Sequence, residues 1–250
     1  MVTSAVGLLY PDIYADATVN WKLQTIGQDG VDFFLIVPVL AISGFYAARE
    51  KRFALLVWGG TNIYIVYTFI IYCFDVRFNS LFVPYCLILG LGFYSSAIFV
   101  YKLIKDDYTV QVTSVARKLI GYFFIVLSVV FYFVWLSDIL PATFHGEVPA
   151  AVAETGLPTN PVHVIDLAIV LPLMFVVGIF MLRGNSLAIS MATPLLTFTI
   201  LMDITIAVLA WLLFRRGVSD SYPVTVIMGS HAALSLAATL ILYKPVISKV

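Results

Sequence analysis

Hydrophobic positions gather into seven long runs, at 31–48, 53–74, 81–101, 119–138, 164–182, 187–214 and 223–243, with short polar connections between them. A helix of about 20 apolar residues crosses the roughly 30 Å of a bilayer's hydrocarbon, so each run predicts a membrane-spanning helix. Helix 1 is short for a span and has room to begin earlier, whereas helix 6 is long enough to tilt or project. Residues 1–30 contain Asp12, Asp16, Trp21 and Lys22 and lack a basic stretch followed by an apolar one, so they do not read as a cleaved signal. Tyr10, Tyr14 and Trp21 suit an interfacial, extracytoplasmic segment instead. The expected fold class is all-α: a polytopic seven-helix bundle forming one membrane domain over 1–250.

Composition agrees with the pattern. Hydrophobic residues make up 62% of the chain and charged residues 11%, against about 45–50% and about 25% in soluble domains. Mean hydropathy is +1.02. The lipid bilayer is therefore the first partner. Net charge is zero and no basic block is present, so no nucleic-acid partner is expected. Cys73 and Cys86 both lie in apolar runs. They are expected as packing residues, although the hairpin they flank would let them approach.

The loops orient the bundle. With the N-terminus outside, the inner connections and tail hold Arg49, Lys51, Arg52, Lys102, Lys105, Arg117, Lys118, Arg183, Lys244 and Lys249. Only Lys22, Arg77, Arg215 and Arg216 remain outside. Positive charge is retained in the cytoplasm, which predicts an inner-membrane protein of a prokaryote, N-terminus out and C-terminus in.

Two runs share a spelling. Asp32, Pro38, Gly44 and Arg49 recur, at identical spacing, as Asp166, Pro172, Gly178 and Arg183. Helix 3 leaves as VYKLI (Val100 to Ile104) and helix 7 as LYKPV (Leu242 to Val246), a second echo. Helices 1 and 5 run the same way through the membrane, so the echoes predict parallel repeats arranged three plus one plus three. The first repeat covers 31–101, a linker helix 119–138, an outer loop 139–163 and the second repeat 164–243. Outer acids, inner bases and scattered Pro and Gly would also arise from membrane topology alone.

This organisation resembles the SWEET and PQ-loop carriers, whose repeats carry a proline in their first helix. Here Val39 and Leu173 follow the prolines, so the glutamine of the family motif is absent. Microbial rhodopsins share the helix count and orientation but need a lysine midway along helix 7. This chain offers His231 there and no lysine before Lys244, which excludes a retinal pigment on chemical grounds. The signatures of G-protein-coupled receptors are missing too. Segments NIYIVYTFIIYCFDVRFNSLF (Asn62 to Phe82) and LPTNPVHVIDLAIVLP (Leu157 to Pro172) resemble uncharacterised bacterial multi-pass proteins, a likeness that implies no activity.

Ionisable residues at membrane depth carry the sharpest functional expectation, because an uncompensated charge there costs several kcal/mol. Asp203 and His231 sit roughly 12–16 Å below the outer boundary at 1.5 Å per residue, on helices joined by a short loop. A hydrogen bond or ion pair between them is feasible. Thr199 shares the Asp203 face and Ser235 the His231 face, and the small residues of helix 7 permit close packing. The pair reads either as a ligand or proton site or as an interhelical bond that fixes packing.

Other polar residues suggest alternatives. His163 and Asp166 are one turn apart, and Asp138, His145 and Glu147 lie near the end of helix 4. Together they form a candidate divalent-metal set, without the spacing of a known motif. Capping and dipole roles suit the same residues. Asn62 and Tyr67 in helix 2 either line a polar cavity or pack structurally, while Tyr72 reads as an interfacial anchor. Three histidines at different depths offer no bis-histidine heme site.

The leading expectation is a small carrier or ligand-binding bundle for a small molecule or ion. Its cavity would lie between the halves, with hinges at Pro38 and Pro172 and a polar centre of Asp203 and His231. The rivals are a membrane enzyme using the outer His/Asp/Glu cluster, and a non-catalytic sensor or assembly subunit. A non-enzyme is favoured, and the oligomeric state is not legible. Asp32 and Asp166 are expected at the outer edge, as scaffold.

Overall fold

Thr18 starts the first span well before the apolar run does. Its hydroxyl accepts from Trp21 N at 3.2 Å and caps the helix. The computed structural model describes residues 1–105 and 110–247, without side chains from Lys244 onward, so Lys249 lies outside the described residues. Among the described residues every regular element is helical, and seven helices are long and apolar enough to cross a membrane. They are Val19–Ala47, Arg52–Phe74, Phe82–Lys105, Ser114–His145, Pro161–Leu182, Ser186–Arg215 and Tyr222–Tyr243, here the first to seventh spans. Six correspond to the apolar runs within a few residues at most ends. The first is longer by a dozen residues at its start, because Asn20, Gln24, Gln28 and Asp29 interrupt the hydropathy of a continuous helix.

The expected loop at 139–163 is also revised. The fourth span runs on to His145, a short helix follows at Ala150–Thr155, and the fifth span starts at Pro161. Asn160 caps that start, its side chain accepting from Val162 N at 3.0 Å. Between the fifth and sixth spans the turn is tight. Gly184 takes φ of 80°, and Asn185 at once caps the next helix by accepting from Ala188 N at 3.0 Å.

The sixth span is the hub and packs on the first, second, third, fifth and seventh. Second and third spans pair, as do fourth and fifth, and the fourth also touches the seventh. Small residues make the closest approaches. A Cβ on Gly178 would lie 2.7 Å from Gly121 O, and one on Gly60 would collide with the Pro194 carbonyl. The main core lies where these helices meet, with Leu56, Phe124, Met181, Leu195, Leu196 and Leu242 all buried. Outward faces are apolar as well, with Phe34, Leu91, Phe133 and Leu240 exposed where lipid would lie. Cys73 and Cys86 face each other as free thiols across the hairpin of the second and third spans.

Both sequence echoes of Asp and Pro share a backbone irregularity. A π turn occupies Asp32–Ile36 in the first span and another occupies Asp166–Val170 in the fifth. Val37 N donates to Asp32 O, and Leu171 N donates to Asp166 O, five residues back in each case. Pro38 and Pro172 come next. A proline lacks the N–H for the ladder and its ring crowds the preceding turn, so widening that turn accommodates it without breaking the helix.

Gly60→Ala is expected to destabilise the detergent-solubilised protein by about 1–3 kcal/mol, the usual cost of overpacking. Gly90→Ala, whose Cβ would meet nothing within 4 Å, should be neutral or slightly stabilising. Thermal unfolding of both variants checks the contrast. Equal melting temperatures would mean that the second and sixth spans tolerate a wider separation.

Candidate functional site

Moving the helix start to Val19 places two acids of the first span inside the bundle. Asp29 is 2% exposed and Asp32 5%. A carboxylate taken out of water needs donors, and the second span provides them from tyrosines. Tyr72 donates to Asp29 Oδ1 at 3.0 Å, Tyr64 to Asp32 Oδ1 at 3.4 Å, and Tyr67 to Asp166 Oδ1 at 3.1 Å. One helix thus serves acids of both the first and fifth spans.

Each acid has a second partner. Tyr14, from the segment before the first span, donates to Asp29 Oδ2 at 2.8 Å and lies 3.2 Å from the Tyr85 hydroxyl. Burial beside Asp29 pushes the Tyr14 phenol well above its ordinary pKa, so it stays a donor. Gly7 packs against the same carboxylate, where a Cβ would collide with Oδ2. Gln28 donates to Asp32 Oδ1 at 2.9 Å and to Tyr64 Oη at 2.7 Å. Tyr64 Oη also lies 2.8 Å from Thr205 Oγ1, which ties the first, second and sixth spans together. Trp135 of the fourth span donates to Asp166 Oδ2 at 3.0 Å.

Asp203 and His231 do meet. His231 Nδ1 lies 2.7 Å from Asp203 Oδ2, and the carboxylate is 6% exposed. The imidazole is flanked by Phe123 and Phe131, with ring centroids 5.8 and 6.0 Å away. His231 Nε2 and Ser235 Oγ are buried without a hydrogen-bond partner among the described residues.

Two cavities adjoin these groups. A small one of about 60 Å³ is lined by Tyr67, Trp135, Asp166, Thr199, Asp203 and His231 with apolar neighbours. A larger one of about 280 Å³, toward the end of the bundle that carries the N-terminus, is lined by Trp21, Gln24, Gln28, Asn160, Thr205 and a majority of apolar side chains. Tyr67, Trp135, Met202 and Ile206 line both, so the two adjoin through a shared wall.

The chain matches no family model, no curated protein and no solved structure. What the site does has to be argued from its own residues.

Several expectations need correction. Asp32 and Asp166 are interior groups, not scaffold at the outer edge, because the first span begins far earlier than its apolar run and Asp166 points at Tyr67 and Trp135. Tyr72 is not an interfacial anchor but 3% exposed and bonded to Asp29. Asn62 is buried yet lines neither cavity, since its amide donates to Trp58 O at 2.9 Å on its own helix. Thr199 lines the smaller cavity and donates to Leu195 O at 2.9 Å.

The candidate metal set does not assemble. Among the described residues no group of three or more His, Cys, Asp or Glu is placed to hold an ion. His145 is exposed, its Nδ1 2.6 Å from Pro141 O. His163 is buried against Trp135, with ring centroids 4.5 Å apart, near Asp138. Asp166 turns away to the cavity.

The sequence carried a signal for the missed acids. Gln28, Asp29 and Asp32 fall at i, i+1 and i+4 ahead of a helix, and Thr18-Val19-Asn20 reads as a cap and first turn. Low hydropathy over 19–30 hid both. Tyr64→Phe should test the network. Removing this hydroxyl takes one hydrogen bond each from Gln28, Thr205 and Asp32, at an expected cost of about 1–3 kcal/mol. Tyr122→Phe, at an exposed ring, should leave the melting temperature unchanged. A neutral Tyr64→Phe would show the network to be dispensable for stability.

Proposed function

We propose that this protein binds a small ligand within the membrane, as a carrier or a ligand-binding bundle, with Asp203 and His231 as its polar centre and Thr199, Tyr67 and Ser235 around them. One observation carries the reading: two neighbouring cavities, sharing Tyr67, Trp135, Met202 and Ile206, occupy the bundle between its N-terminal end and the Asp203–His231 pair. A non-catalytic assembly subunit would be served by a solid interior. An enzyme built on His145, His163, Asp138 and Asp166 would need them gathered around one ion, and they are apart.

The carrier form of the proposal uses the two π turns as hinges. A widened turn followed by a proline weakens the helix ladder at the same place in the first and fifth spans, next to the buried acids. These matching turns also support reading the two halves as parallel repeats around the fourth span. The distribution of lysine and arginine supports a cytoplasmic membrane, N-terminus outside.

Chemical labelling tests the cavity without knowledge of the ligand. In a background with Cys73→Ala and Cys86→Ala, Thr199→Cys and Met228→Cys line the smaller cavity. Both are expected to react with methyl methanethiosulfonate faster than a cysteine at lipid-facing Leu91, because only a hydrated thiol forms thiolate readily. If neither reacts above the lipid-facing background while the protein remains folded, the proposal is wrong. Orientation is tested in the same background. Asp16→Cys should take a membrane-impermeant maleimide in intact cells and Lys51→Cys only after lysis; the reverse pattern inverts the topology.

A further inference from the structure

Charge inside the cavities is one-sided. Among the described residues neither is lined by any lysine or arginine, whereas Asp166 and Asp203 both face the smaller one, with His231 as its one titratable base. Hydrogen-bond chemistry fixes how Asp166 meets it. The indole N–H of Trp135 can only donate, so Asp166 Oδ2 acts as an acceptor, and Tyr67 supplies a donor to Oδ1. Asp203 differs. Its Oδ2 engages His231, while Oδ1 takes no hydrogen bond among the described residues and so keeps its lone pairs for a ligand. The aromatic rings of Tyr67, Phe131, Trp135 and Phe198 line the same cavity as the two acids. Two carboxylates with aromatic faces, set against a single histidine and no lysine or arginine, form an environment that attracts a cation by charge and by ring quadrupole, and repels an anion.

The larger cavity has a different character. Ile71, Val76, Leu209, Leu213 and Val224 dominate its wall, with amides from Gln24, Gln28 and Asn160 and hydroxyls from Thr25, Thr205 and Ser221 at intervals. At about 280 Å³ it has room for a small apolar body, and the smaller space of about 60 Å³ admits only a compact head group.

We propose that the ligand is a small apolar amine, its ammonium between Asp166 and Asp203 and its body in the larger cavity. This rests on the cavity reading above and names the substrate class for that site. The ammonium donates to the unoccupied Asp203 Oδ1 and lies against the Tyr67 and Trp135 rings. A neutral ligand of the same shape would fill the apolar cavity without answering the carboxylates, and an anion would meet them directly.

The test is protection of Thr199→Cys from methyl methanethiosulfonate by three molecules sharing one body: 2-phenylethylamine, 2-phenylethanol and 3-phenylpropanoate. At about 10 mM, tenfold above a millimolar Kd, the amine should slow labelling about tenfold while the alcohol and the acid leave it nearly unchanged. Asp203→Asn combined with Thr199→Cys should lose the protection, and Asp203→Glu, which keeps the charge, should retain it. Labelling that proceeds at the same rate with the amine overturns the amine assignment and leaves the cavity reading standing. Equal protection by the alcohol, or stronger protection by the acid, overturns it as well. A thiol that never reacts in folded protein removes the cavity reading itself. The three-ligand comparison holds whether or not the aspartate variants fold.

Discussion

A carboxylate in a low-dielectric interior must find donors, and this requirement organises the bundle. The second span answers it with three tyrosines. Tyr64, Tyr67 and Tyr72 each donate to a different acid, buried Asp32, half-buried Asp166 and buried Asp29 respectively. These bonds run from one helix to both the first and the fifth spans. Because an unpartnered acid would cost more than each bond contributes, the network specifies which helices meet and at what register more than it adds net stability.

The sixth span completes the arrangement from the other side. Thr205 joins the Tyr64 hydroxyl, and Asp203 reaches across to His231 on the seventh span. Close approach depends on small residues, as where Gly60 lies against the Pro194 carbonyl and Gly178 against Gly121. Polar bonds set the register and glycine contacts set the spacing. The cavities are what remains where the large side chains of the second, fourth and sixth spans do not fill the space between those contacts.

The two π turns show how a local rule serves the site. Proline removes one ladder bond, and the helix responds by widening over the five residues Asp32–Ile36 and Asp166–Val170. In both the first and the fifth spans the widened turn begins at a carboxylate that enters the polar interior. Spacing of Asp and Pro announced that the two segments match, but not that the backbone departs from the α-helix between them, because a π turn leaves no mark in hydropathy.

Hydropathy alone determined the seven spans and most of their ends, since transfer of apolar residues into a bilayer is a local property of each segment. It also singled out Asp203 and His231, whose intramembrane position is visible along the chain and whose short connecting loop makes them neighbours. The start of the first span, the roles of Asp29, Asp32 and Asp166, and the tyrosine partners were decided by tertiary structure. A helix that carries Gln28, Asp29 and Asp32 looks too polar to enter a membrane until Tyr14, Tyr64 and Tyr72 from distant segments supply the missing hydrogen bonds. Tyr64 and Tyr72 lie 32 and 43 residues from the acids they serve and meet them only when the helices pack, so no short window along the chain could contain the pairs.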